Sequence, residues 1–272
     1  MENNKVLIAV PSKARVETFQ KYTWQWVKEF PDFRLFVEPQ DYEAYAFIPG
    51  MDASKIVSLS ANNRGLAFAK ESIYNYAKEN EFDFIFKVDD DIKGWTDFRN
   101  RTDAQGTKTV FERMLHDCLK KFEEHREVKA IGFPYSFQMY HRQSFSLTSR
   151  LQTAYITRLN NFGWHEELNV FEDFWTGLKI RINGGVVLRY ELAGMDLGVK
   201  VGGGKGGHQV FNRKEQAERE IGVLRRLYPA LKVRRVEKKA WEVEPVMRIP
   251  YSKQERRAEG LMSVKTRKNG LK

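Results

Sequence analysis

Apolar positions along the first half of the chain recur in two alternating rhythms. A short continuous run, Val6–Val10, stops at Pro11-Ser12 and predicts a buried strand. From Val16 to Phe30 the residues Phe19, Tyr22, Trp26 and Phe30 fall at helical spacing and predict one helix. Leu35–Val37 and Ile56–Leu59 predict two further strands. Asn63-Arg64-Gly65 opens a helix with Leu66, Ala69, Ile73 and Ala77 on one face. Phe82–Val88 is the next strand, residues 110–125 an amphipathic helix, and Lys129–Phe133 another strand. Strands that are apolar throughout and separated by helices belong to a parallel sheet covered on both faces. The expected fold is a doubly wound α/β domain.

After Pro134 the pattern loosens. Tyr135 to Arg150 is aromatic and polar without a clear period, as in a loop or short hairpin. Tyr155–Leu159 and Val186–Tyr190 predict strands, with a helix from about Asp173 to Ile182 between them. A glycine-rich stretch from Gly202 to Gly207, closed by His208, precedes a charged helix from about Arg213 to Leu227. Nothing apolar is periodic beyond Tyr251. The expected division is a folded α/β body over 1–222 and a basic, partly disordered extension over 223–272.

Composition narrows the class. At 42% apolar and 13% aromatic residues the chain has material for a packed core, which excludes a disordered protein. The lone cysteine, Cys118, cannot form an internal disulfide. The run at Val6–Val10 is too short for a signal peptide, and no stretch approaches the roughly 18–20 apolar residues of a spanning helix. A soluble, cytoplasmic protein is expected, in the host cytoplasm if the source is viral. All of the net charge of +10 lies in the last fifty residues, which hold fifteen Lys/Arg and five Asp/Glu. A neutral body with a basic end suits a polyanionic partner, nucleic acid or an anionic membrane. A solvated tail that keeps the protein soluble is the alternative.

The strongest chemical feature is Phe84-Ile85-Phe86-Lys87-Val88-Asp89-Asp90-Asp91. An apolar strand ending in carboxylates places them at the carboxyl edge of a sheet, where open α/β folds bind ligands. In extended geometry Asp89 and Asp91 point to the same side. Crowded carboxylates favour a hard cation, Mg²⁺ or Mn²⁺, with open positions left for phosphate oxygens; a solvated acidic turn is the alternative. A second pair, Glu172-Asp173, opens a helix. One of them, Asp173 ahead of Glu172, suits a general base; a helix cap fits the same positions.

Weaker signals surround these. Pro11, Ser12, Lys13 and Arg15 follow the first strand, and Asn63, Arg64 and Gly65, with Lys70, lie at another strand-to-helix junction. Backbone N–H groups at helix starts and nearby cations suit a diphosphate. Gly65 serves equally as a turn glycine. Glu38 and Gln40 follow the second strand and suit a nucleobase edge; surface polarity explains them as well. His208 is a candidate further metal ligand, or simply a loop residue.

Ile8-Ala9-Val10-Pro11-Ser12, Asn63-Arg64-Gly65, Val88-Asp89-Asp90-Asp91, Glu172-Asp173 and His208, in this order, resemble the GT-A class of glycosyltransferases. More narrowly the chain is similar to the TET-associated glycosyltransferases of bacteriophages, over roughly residues 5–210. The resemblance implies a GT-A fold, Rossmann-like, with a mostly parallel mixed sheet. It implies a uridine diphosphate sugar held with Mn²⁺ or Mg²⁺ by Asp89 and Asp91, and Asp90 toward the donor ribose or sugar. Glu172-Asp173 would take the place of the base motif, and His208 that of the late histidine. The implied acceptor is the hydroxymethyl group of a modified pyrimidine in DNA, such as 5-hydroxymethylcytosine, with the anomeric centre inverted. A base drawn out of the stack would meet Phe133, Tyr135, Phe137, Tyr140 and Trp164, unless these are core residues. The rivals are a transferase of the same fold acting on a glycan, lipid or protein, a sugar nucleotidyltransferase, and a DNA-binding module with a dead site.

Overall fold

Residues 4–99, 106–138, 144–148, 151–199, 213–229, 231–238 and 242–248 are described by a computed structural model. The first apolar run forms β1 (Val6–Ser12), followed by helices α1 (Val16–Lys21) and α2 (Trp24–Val27), strand β2 (Phe33–Val37) and helix α3 (Tyr42–Ala46). Then come β3 (Ile56–Ser58), α4 (Gly65–Glu79), β4 (Phe84–Val88), β5 (Ile92–Asp97) and α5 (Thr107–Glu124). Strands β6 (Val128–Gly132), β7 (Phe145–Leu147) and β8 (Ala154–Arg158) precede α6 (Glu172–Ile182). The described chain ends with β9 (Val186–Tyr190), β10 (Ala193–Leu197), α7 (Arg213–Leu227), β11 (Lys232–Lys238) and β12 (Glu242–Arg248).

Eight strands form one sheet in the order β3-β2-β1-β4-β8-β6-β9-β7. β1 pairs in parallel with both β2 and β4, and β6 pairs in parallel with β9. β8 runs antiparallel between β4 and β6, and β7 is antiparallel to β9, so the sheet is mixed and mostly parallel. The expected α/β class stands, with a mostly parallel mixed sheet. Chain order reverses beside β1, which is flanked by β2 on one side and β4 on the other. The carboxyl ends of β1 and β4 therefore open onto a topological switch point.

The alternation of β4 explains the two cores. Phe84, Phe86 and Val88 pack on one face with Phe19, Trp24 and Trp26 and with Phe111, Met114 and Phe122 of α5. Ile85 packs on the other with Ile73 and Ala77 of α4 and Ile180 of α6. A third cluster joins Leu168, Phe174 and Leu178 to Val223, Leu224 and Leu231.

Several expectations change. Instead of one helix over 16–30, α1 and α2 are separate, because Thr23 turns inward: its hydroxyl donates to the Asp89 carbonyl at 3.0 Å and accepts from Ile92 N–H at 3.0 Å. Tertiary bonds to the turn after β4 outweigh helical continuity. Within 135–150, β7 pairs with the distant β9 rather than in a local hairpin. The expected boundary at 222/223 falls inside α7, whose Val223 and Leu224 pack against α6, and the basic section contains the antiparallel hairpin β11–β12. Residues 249–272 lie outside the described residues. Among the described residues no helix is long and apolar enough to cross a membrane.

Candidate active site

β4 ends at Val88, so the acidic triplet sits on a turn and strand alternation does not continue through it. Asp89 faces Lys87, with Oδ1 at 2.6 Å from Nζ. Asp90 faces the other way and is buried: its Oδ1 meets Arg15 at 2.8 Å and its Oδ2 accepts from the Ser12 hydroxyl at 2.5 Å. Asp91 shares the Arg15 guanidinium at 2.9 Å. The ion pairs thus group Asp90 with Asp91, not Asp89 with Asp91 as extended geometry had suggested. Burial pushes Asp90 up to about 7, against the pull of Arg15 and Ser12.

Ser12 and Asp90, both expected to touch the donor, are instead bonded to each other beneath the site, with Tyr45 Oη 2.5 Å from Ser12 Oγ. Pro11 precedes them at the end of β1. Lys13, Glu38, Gln40 and Asn63 form one network: Lys13 Nζ reaches Glu38 Oε1 at 2.9 Å and Asn63 Oδ1 at 2.7 Å. Glu38 also accepts from Asn63 N–H at 2.8 Å and from the Gln40 amide at 2.8 Å. Arg64 is exposed, its guanidinium 5.3 Å from the centre of the Phe68 ring. Gly65 has a φ of +83°, and a Cβ there would stand 2.4 Å from Asn169 Oδ1, so a left-handed turn and a close approach both require glycine.

The second acidic pair starts α6 and meets two fully buried lysines. Asp173 lies 3.0 Å from Lys70 Nζ and 3.2 Å from Lys87 Nζ; Glu172 lies 4.0 Å from Lys87. Lys70, expected at the diphosphate, is instead held under Asp173 and donates also to Thr176 Oγ1 at 3.3 Å. Burial opposes ionisation of Asp173, yet the two ammonium groups win and hold its carboxyl at about 2. Glu172 is pushed well above the carboxylate range by burial and by Asp173. The two carboxyls are pushed in opposite directions, Asp173 down by the ammonium groups and Glu172 up by burial.

The aromatic residues expected around an acceptor do not converge. Phe133 is buried in the core against Phe86 at 5.3 Å and Trp95 at 5.4 Å between ring centres. Trp164 packs on Tyr74 at 5.1 Å, with the cluster on the opposite face of the sheet. Tyr135 and Phe137 do stack, 5.4 Å apart and 10° from parallel, and Phe137 is 67% exposed. Tyr135 Oη lies 2.7 Å from Thr153 Oγ1, and the Thr153 carbonyl accepts from Lys87 at 3.4 Å, which ties the stack to the acidic recess. Tyr140 and His208 lie outside the described residues.

Asp89 and Asp91 are the open members of the triplet, with side chains 36% and 20% exposed. Each has one oxygen committed to a cation and one left over, a hard-oxygen donor set that fits Mn²⁺ or Mg²⁺. No group of three His, Cys, Asp or Glu poised for a metal is found among the described residues. The residue missed by sequence reasoning is Lys87. Its signal was a lysine inside an otherwise apolar strand.

A family model, the TET-associated glycosyltransferase, matches residues 7–198, and the chain belongs to that family. No curated protein matches it. Among solved structures, glucosyl-3-phosphoglycerate synthase from Mycobacterium tuberculosis, in complex with Mn²⁺, uridine diphosphate and glucosyl-3-phosphoglycerate, is 9% identical. That alignment covers 89% of this chain and 88% of that one, with a TM-score of 0.49. A cytidylyltransferase from Leptospira borgpetersenii is 11% identical over 69% of this chain and 76% of its own, with a TM-score of 0.42. The family match is what makes this chain a glycosyltransferase.

Proposed function

We propose that this glycosyltransferase moves a sugar from a nucleotide-sugar donor, a uridine diphosphate sugar, to the hydroxymethyl group of 5-hydroxymethylcytosine or a related base in DNA. The observation that carries the reading is the Lys87 ammonium, which touches Asp89 on one side and Asp173 on the other. Two acidic motifs far apart in the chain thereby meet on one buried lysine near the carboxyl end of β4. Donor and acceptor chemistry need that proximity.

Asp89 and Asp91 would hold Mn²⁺ or Mg²⁺, with His208 as a further candidate ligand. The bound cation would neutralise charge on the departing diphosphate. Lys13, Arg15 and Asn63, with Arg64 and Gly65 at the start of α4, line the donor side. Glu38 and Gln40 are held ready for a base edge by the network around Lys13. Asp173 is the favoured base, ahead of Glu172, and both carboxyls lie beside Lys87 at the start of α6. A base positioned on the acceptor side favours inversion. The Tyr135–Phe137 stack offers a platform for an unstacked base, and the basic C-terminal section supplies phosphate contacts.

The test is to incubate hydroxymethylcytosine-containing DNA with uridine and guanosine diphosphate sugars and Mn²⁺, digest it to nucleosides and weigh them by mass spectrometry. A nucleoside heavier by one sugar is expected. Its absence with every donor would sink the DNA acceptor. Binding to plain duplex DNA should weaken steeply with salt; a flat slope favours a glycan, lipid or protein acceptor.

A further inference from the structure

Glu220 lies on α7, beyond the matched stretch 7–198, and is 1% exposed. A buried carboxylate persists only where its charge is met. Here it is met by three consecutive backbone N–H groups: Asn169 at 2.9 Å, Val170 at 2.8 Å and Phe171 at 3.0 Å, with the Gln216 amide at 3.0 Å. Those residues lead straight into α6, whose own cap residue, Phe171, makes no side-chain capping bond. The start of a helix carries unsatisfied donors and the positive end of its dipole, and Glu220 answers both from forty-nine residues or more away.

The same segment is gripped from its other side. Asn169 Oδ1 accepts from Ala67 N–H at 3.3 Å and fits against Gly65. The two residues that follow Phe171 are Glu172 and Asp173. Residues 169–171 are therefore held between the start of α4 and the middle of α7, one step from the acidic pair.

We propose that Glu220 is a positioning residue for Glu172 and Asp173: it caps α6 from α7 and makes α7 part of the catalytic frame. The inference rests on the reading that this pair serves the acceptor. Loss of the carboxylate frees the start of α6, so Asp173 shifts against Lys70 and Lys87, while the donor edge, built on β1 and β4, stays in place.

The test compares the full chain with Glu220→Ala, Glu220→Gln and Arg219→Ala, an exposed neighbour on the same helix. Amide hydrogen exchange is followed over 168–176 and over β4, and turnover is measured with UDP-glucose and hydroxymethylated DNA. Glu220→Ala should speed exchange over 168–176 roughly ten-fold or more, without changing β4. Its kcat should fall about ten- to a hundred-fold with donor KM constant. Glu220→Gln, which keeps one acceptor oxygen, should recover part of both, and Arg219→Ala should change neither. Unchanged exchange over 168–176, equal acceleration in β4, or a rise in donor KM at constant kcat each overturns the proposal. Should the parent chain transfer sugar from none of the uridine and guanosine diphosphate sugars, the acceptor reading fails, and the exchange measurement still decides whether Glu220 holds the pair.

Discussion

Asp89–Asp91 and Glu172–Asp173 reach one recess from opposite kinds of local structure. The triplet follows a strand and fans out on a turn, so its members face different partners: Lys87, Ser12 and Arg15. Two of them keep part of their surface open. The pair begins a helix, and both of its carboxyls point at ammonium groups that are wholly buried. A carboxylate at an open edge stays available to a ligand. Asp173, set between two buried lysines, is fixed in place and in charge, because two cations without water need it ionised. On the proposed reading, ligand binding falls to the first run and base chemistry to the second.

The largest test of that contrast is Asp91→Asn. On the proposed reading it lowers turnover about a thousand-fold and abolishes the response to added Mn²⁺, with little change in unfolding temperature. Unaltered steady-state kinetics would remove Asp91 from the ligand side. Lys87→Met probes the buried half: stranding carboxylates around a site that has lost its cation should cost about 3–5 kcal/mol, read from urea midpoints. A change below about 1 kcal/mol, as for an exposed pair, would erase the distinction between the two runs.

The third test uses pH. Asp173 lies at about 2 in the folded protein, below its unfolded value near 4. Its contribution, roughly 2 kcal/mol, is therefore complete above about pH 4 and lost as pH falls through the folded value. Glu172 has the opposite sign, since its raised folded value favours the protein at low pH and that advantage fades as pH rises. Denaturation of the parent and Asp173→Asn from pH 5 down to pH 2.5 should show the gap between them closing; a constant gap contradicts the ion-pair account. The smallest effect is expected from Phe137→Ala, which should raise KM for DNA about five-fold, roughly 1 kcal/mol, with unfolding unchanged. No change in acceptor KM would limit the acceptor side to the carboxylates.

The strands at Val6, Leu35, Ile56, Phe84 and Val128 were legible because each is a buried apolar run, and helices α4 and α5 because one face repeats. β5 and β10 were not: Gly94, Asp97, Gly194 and Asp196 break the apolar signal, and the two strands form a separate antiparallel pair outside the main sheet. The site divides in the same way. Both acidic runs stand out as consecutive charges, yet nothing near Asp173 in the chain announces Lys70 or Lys87, and nothing near Phe171 announces Glu220. Phe133 and Phe137 look alike in sequence, but one is core and the other exposed.

What the sequence by itself determined is local: the rhythm of strand and helix, the carboxylates at the end of β4, the acidic start of α6 and the basic end of the chain. Those features follow from neighbouring residues, whose spacing sets burial and charge density directly. Only the tertiary structure decided which aspartates keep exposed side chains, that Asp173 lies between two buried lysines, and that α7 caps α6. Burial and ion pairing are set by residues brought together from distant parts of the chain, as Lys70 and Lys87 are beneath Asp173.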